Sequence, residues 1–177
     1  MSLLLFICTL QIFAIFSPAS AQTTGPPPQD FPVFPVLLGT VDLKSYYYNS
    51  TLFMDWFAAS RYCEQWGMRL GEIKTQAEQD FFDLKTKNEA FTGQFWMGAR
   101  DSVSRDQFTW DGYDSWEQLK LGDFGQRFLF YSPQTCVTLM AYGSFGESET
   151  FWYSMPCEND WFSPLCEGAN RHNPYRF

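Results

Sequence analysis

Four cysteines, Cys63, Cys136, Cys157 and Cys166, restrict this chain more than any other feature. They stand downstream of Leu3 to Phe16, an almost unbroken apolar run. Ser17-Pro18 follows, and then Ala19-Ser20-Ala21, an A-x-A processing site. This order predicts a secretory signal peptide over residues 1–21, cleaved after Ala21 and carrying Cys8 away with it. The rival is an uncleaved anchor, because the leader has no Lys or Arg before its apolar run. That run is short for a bilayer span and lacks basic flanks, which favours cleavage and leaves no membrane span in the mature chain. An even number of cysteines in a secreted chain implies two disulfides, and four residues allow three pairings. There is no C-x-x-C pair, and the single histidine, His172, lies in the tail, so no Cys/His zinc site is expected.

The 177 residues suit one domain with a leader and short tails. Only 18% of the chain is charged and 20% is aromatic, enough apolar material for a packed core. The net charge of -8 argues against nucleic acid, whose phosphates demand a basic face, and against anionic lipid. Residues 22–38 are rich in Pro and polar residues and read as an extended lead-in. Residues 39–168 read as the folded domain and 169–177 as a tail. Asn49-Ser50-Thr51 is a glycosylation sequon, which makes Asn49 a candidate modification site in a secreted chain.

Val41 to Tyr48 mixes β-branched and aromatic residues, which predicts a strand ending in a turn at Asn49-Ser50. Asp55 can cap a helix from Trp56, with Trp56, Ala59, Cys63 and Trp66 on one face and Gly67 as the stop. Thr75-Gln76-Ala77-Glu78 has the form of a capping box, opening a second helix that is expected to turn Ala77, Phe81 and Leu84 inward. Phe95-Trp96-Met97-Gly98 and Gln107-Phe108-Thr109-Trp110 read as short strands.

Together these residues resemble the C-type lectin-like domain. The likeness runs through Trp56, Ala59, Cys63, Gly67 and Leu70, then Glu78, then Trp96-Met97-Gly98. It continues through Phe108, Trp110, Gly112 and Trp116 to Cys136-Val137, Leu139, Trp152, Cys157 and Leu165-Cys166-Glu167. It covers about residues 40 to 168, and so many matches in order are far more specific than any one motif. The resemblance implies an α+β fold, with two helices packed on small antiparallel sheets, a long irregular loop region and two disulfides. It also implies the pairs Cys63–Cys166 and Cys136–Cys157, in the short form of the domain. The first pair would close nearly the whole fold and constrain the unfolded chain by about 4 to 5 kcal/mol, the second by about 3 kcal/mol. Trp56, Trp96, Trp110 and Trp152 are expected in the core.

Sugar-binding members of that family coordinate sugar hydroxyls through Ca2+, a hard cation that needs several oxygen ligands. The resemblance would place those ligands in a Glu-Pro-Asn or Gln-Pro-Asp tripeptide after Trp116 and in an Asn-Asp pair after Trp152. Here the chain reads Trp116-Glu117-Gln118-Leu119-Lys120-Leu121-Gly122 and Trp152-Tyr153-Ser154. A lysine ammonium repels a cation, and a phenol with a hydroxyl replaces an amide with a carboxylate, so no Ca2+ is expected at the usual position and no other cofactor is implied. Glu147, Glu149 and Asp123 are candidates for a different cation site, with solvated surface acids as the simpler reading. Tyr153, Lys120, Glu147 and Glu149 are the candidate ligand contacts, Tyr153 first because the matching family position faces the ligand. The aromatics Tyr113, Phe124, Phe128, Phe130, Tyr131, Tyr142, Phe145 and Phe151 surround them in sequence and read mostly as a local core.

Two functions follow from the resemblance. One is a secreted module binding carbohydrate or a glycoconjugate without the usual Ca2+ site. The other is a lectin-like domain that binds a protein ligand on a cell or extracellular surface. Catalysis is not expected: there is no Ser/His/Asp set and no G-x-S-x-G motif.

Overall fold

Strand formation begins earlier than the residue pattern suggests. The computed structural model describes residues 33–101, 108–111, 116–118, 135–144 and 147–169. In it β1 (Val36–Val41) and β2 (Lys44–Tyr48) form an antiparallel hairpin. The single strand expected over Val41 to Tyr48 is therefore interrupted at Asp42-Leu43, where Asp42 takes φ 52°. Aspartate tolerates that left-handed conformation, so two residues suffice to reverse the chain. Val36 to Leu38, expected in the lead-in, belong to β1.

Helix α1 (Trp56–Gln65) starts where its cap predicts: Ala58 N donates to Asp55 Oδ1 at 2.7 Å. Trp56, Ala59 and Cys63 are buried as expected, while Trp66 is half-buried at the C-cap. Gly67 then adopts φ 70°, the conformation that ends helices. After β3 (Arg69–Leu70), helix α2 (Gln76–Lys87) opens with the expected capping box. Its inward face differs from the expectation. Glu78, Gln79, Phe82 and Thr86 are buried, Phe81 is half-buried, and Ala77 and Leu84 face water. Of the three buried polar residues, Glu78 and Gln79 turn inward because each meets a partner in the fold.

The remaining strands are β4 (Gly93–Asp101), β5 (Phe108–Asp111), β6 (Trp116–Gln118), β7 (Thr135–Ser144), β8 (Glu147–Pro156) and β9 (Ser163–Ala169). The strand order is β1-β2-β9-β4-β5-β6, with β3 on β9, β7 on β4 and β8 on β7. All these pairings are antiparallel except β4–β9, which is parallel and joins the two halves. Gly98 lies where β4 crosses β3: a Cβ there would stand 3.0 Å from Leu70 O.

Two clusters fill the interior. One places Phe82, Phe91, Phe95, Trp110 and Trp152 between α2 and the sheet. The other packs Trp56, Tyr62, Trp96 and Phe162 around both disulfides. All four tryptophans expected inside are there. Cys63 bonds Cys166 and Cys136 bonds Cys157, as the resemblance implied. Among the described residues no helix is long and apolar enough to cross a membrane.

Candidate functional site

Two places gather polar chemistry, and they behave in opposite ways. The first lies where β2, β3, α2 and β9 meet. Three carboxylates, Glu72, Glu78 and Glu167, are buried there beside Lys44, Arg69 and Lys74. Lys44 Nζ lies 2.9 Å from Glu78 Oε1 and 3.4 Å from Glu167 Oε2, and donates to Glu72 O at 2.9 Å. Tyr46 OH donates to the same carbonyl at 2.7 Å. Arg69 approaches Glu167 Oε1 through both Nε and Nη2 at 2.7 Å, and Glu72 N donates to Glu167 Oε2 at 2.8 Å. Lys74 Nζ stands 2.7 Å from Glu72 Oε2. Burial pushes the Glu167 carboxyl above its ordinary range, and Lys44 and Arg69 pull it partly back. Burial and the neighbouring carboxylates raise the Tyr46 phenol, which stays protonated and donating.

Chemically, this cluster is an oxygen cage already filled by the protein's own cations. A buried carboxylate must be paired and hydrogen-bonded, and here the pairs come from four separate elements. The geometry ties those elements together. Among the described residues no group of three or more His, Cys, Asp or Glu side chains is arranged to hold a metal ion.

The second place is the sheet surface made by β4, β7 and β8. Cross-strand register puts Trp96, Thr138 and Tyr153 in one row, and Gln94, Met140 and Phe151 in the next. Trp96 and Thr138 are buried, but Tyr153 is only half-buried, and among the described residues its strand β8 pairs with β7 alone. Thr138 Oγ1 donates to Tyr153 O at 3.4 Å. Ser154, the next residue, is half-buried as well. Further along, Tyr142 is exposed, its hydroxyl is hydrogen-bonded by Gln94 Nε2, and its register partner is Glu149. The reverse face of β8 is anchored to α2. Trp152 Nε1 donates to Gln79 Oε1 at 3.2 Å, Gln79 Nε2 donates to Thr150 Oγ1 at 2.5 Å, and Thr150 N donates to Asp83 Oδ1 at 3.0 Å. Those bonds explain why Gln79 displaces an apolar residue from the buried face of α2.

The candidate ligand residues divide accordingly. Tyr153, Glu147 and Glu149 share strand β8 at alternating positions. The side chains of Glu147 and Glu149, and the whole of Lys120 and Asp123, lie outside the described residues, as do Tyr113, Phe124, Phe128, Phe130, Tyr131 and Phe145. Asn49 has a position that bears on its sequon. It is buried, its Nδ2 donates to Tyr62 OH at 3.3 Å, and its Oδ1 accepts from Thr51 N at 3.0 Å and Thr51 Oγ1 at 2.8 Å. A glycan on Nδ2 would share that nitrogen with the hydrogen bond to the Tyr62 hydroxyl. The residues that sequence reasoning missed are the ionic partners Lys44, Arg69 and Glu72. Their contacts reach from Lys44 to Glu167 and, 98 residues apart, from Arg69 to Glu167, and no local signal announces them.

Residues 53–167 match the family described as the Lectin C-type domain. C-type lectin domain family 4 member E of Mus musculus is 31% identical over 132 residues, which make up 69% of this chain and 58% of that protein. The chain thus spans less than two thirds of that relative's length. Among solved structures, a complex of SPL-1 with GlcNAc superposes with a TM-score of 0.55 at 15% identity, covering 73% of this chain and 90% of that one. The Ca2+-independent C-type lectin SPL-2 from Saxidomus purpuratus gives 0.54 at 18% identity, covering 73% and 88%. A Ca2+-dependent type II antifreeze protein in its Ca2+-free form gives 0.52 at 17% identity, covering 73% and 95%. At such identities the likeness speaks for the fold. Family match, disulfide pairing and fold agree, and the chain belongs to the C-type lectin domain family.

Proposed function

We propose that this chain is a secreted recognition module that binds carbohydrate or a glycoconjugate through its own side chains, without a Ca2+ ion at the family's usual position. It works by binding and not by catalysis. The observation that carries this reading is the corner after Trp152. There Tyr153 and Ser154 sit half-buried on strand β8 and offer a phenol and a hydroxyl in place of a carboxylate and an amide. An aromatic ring with adjacent hydroxyls can stack on the apolar face of a sugar ring and hydrogen-bond its rim. The fold is shared with a lectin described as Ca2+-independent and with a protein solved in complex with GlcNAc, which makes this ligand class reasonable for the same scaffold. Lys120, Glu147 and Glu149 are proposed as flanking contacts. The reading includes export by a signal peptide cleaved after Ala21, and the two disulfides suit an oxidising compartment.

A glycan array probed in EGTA tests this. The expected result is binding that survives chelation and falls about tenfold in Tyr153→Ala, with an unchanged melting temperature. Binding that appears only with millimolar Ca2+, together with saturable thermal stabilisation by Ca2+, would overturn it.

A further inference from the structure

Outside strand β8, three large aromatic side chains reach water at one junction. Trp161 is 74% exposed, Phe53 63% and Phe57 41%. Two backbone hydrogen bonds bring them together: Met54 N donates to Phe162 O at 3.0 Å and Trp56 N donates to Cys157 O at 2.9 Å. Between those anchors the chain turns after Pro156, where Asn159 N donates to Pro156 O at 3.0 Å. Met54 and Phe162 form an isolated antiparallel bridge and both point into the core, so their neighbours Phe53 and Trp161 point the other way. Phe57 follows in the first turn of α1.

The base under these rings is rigid. Trp161 N donates to Asn159 Oδ1 at 3.0 Å, which closes the turn. The Phe57 ring meets Trp56 edge-on at 5.4 Å. Trp56 is itself buried, donates Nε1 to Met97 O at 2.8 Å and carries the Arg100 guanidinium 5.3 Å from its ring. The disulfide Cys136–Cys157 fixes the start of the turn. Exposed tryptophan and phenylalanine on a preorganised base are the side chains that dominate binding energy at protein interfaces.

Charge selects the occupant. Glu158 and Asp160 are exposed and stand just before Trp161 in sequence. The chain as a whole carries -8. An anionic membrane is repelled, and a second copy of the same patch would set these acids against themselves across a two-fold axis. From this patch we infer a docking surface for a polypeptide partner that presents an apolar or aromatic anchor flanked by Lys or Arg. Its anchor packs against Trp161, Phe53 and Phe57, and its cations face Glu158 and Asp160. This surface is built from other residues than the proposed sugar-binding corner, so either can fail without the other.

A random peptide library displayed on phage, panned against the full mature chain, tests the inference. Enriched peptides are then synthesised and titrated by calorimetry. The expected winners carry a basic residue beside an aromatic or leucine anchor. Their affinity falls about tenfold or more in Trp161→Ala and in Phe53→Ser. It falls several-fold in the Glu158→Lys/Asp160→Lys double variant and with rising salt. It is unchanged in Tyr153→Ala. Four results would overturn the proposal: no enrichment, enrichment indifferent to Trp161, enrichment with no basic bias, or Trp161-dependent binding of phosphatidylcholine vesicles or N-acetylglucosamine where peptides do not bind.

Discussion

The junction of β2, β3, α2 and β9 and the junction of Phe53 with Trp161 invert the usual arrangement of a globular protein. At the first, three carboxylates and three cations are drawn inward. At the second, a tryptophan and two phenylalanines are left in water. The inward charges are costly unless they are paired, and Lys44, Glu78 and Glu167 find their partners in distant parts of the chain. That arrangement specifies how the elements dock. The outward aromatics contribute little to stability where they stand, and their apolar area remains available for burial against something else. Exposed aromatics on a fixed base therefore point to function here more directly than buried acids do.

The comparison breaks most sharply at Lys44. Lys44→Met removes the one cation shared by Glu78 and Glu167, and chemical denaturation is expected to show a loss of about 3 kcal/mol, the low end for orphaning a buried charge because the ammonium is partly in water. A loss below 1 kcal/mol would mean that the joint is no more than a solvated surface cluster. A smaller effect concerns pH. Burial holds the Glu167 carboxyl above its ordinary 4.5, so the stability linked to it is full below that pH and is lost as pH rises through the raised folded value. Melting temperatures of the natural chain and of Glu167→Gln, compared across that window, are expected to differ in slope, with the natural chain losing more on going up. Parallel curves would mean that Lys44 and Arg69 fully compensate the burial. The smallest effect is expected at the other junction. Trp161→Ala should leave stability within about 0.5 kcal/mol, since the ring has few neighbours to lose. A larger loss would make Trp161 part of the core and remove it as a docking anchor.

Much of the fold was legible from residues alone. The Asp55 cap, the Thr75–Glu78 capping box and the stop at Gly67 are local interactions, and each stands where its sequence signal places it. The disulfide pairs were not derivable from spacing and came from the resemblance to the lectin-like domain. The buried face of α2 was misread by the apolar pattern. Periodicity counts Ala77 and Leu84 as inward residues and cannot see that Glu78 will meet Lys44 or that Gln79 will meet Thr150 and Trp152. The hairpin at Asp42-Leu43 was missed because Leu43 continues a strand-like pattern, and a single residue at positive φ reverses the chain.

The candidate site divides along the same line. Tyr153 and Ser154 were identifiable because they follow Trp152 in a recognisable order. Phe53, Phe57 and Trp161 look in sequence like three more core aromatics, and nothing in their neighbours marks them as exposed. Sequence by itself determined the helix ends at Asp55, Gly67 and Thr75, which are written in adjacent residues. Only tertiary structure decided which acids go in and which aromatics stay out, because that choice depends on what a residue a hundred positions away brings to meet it.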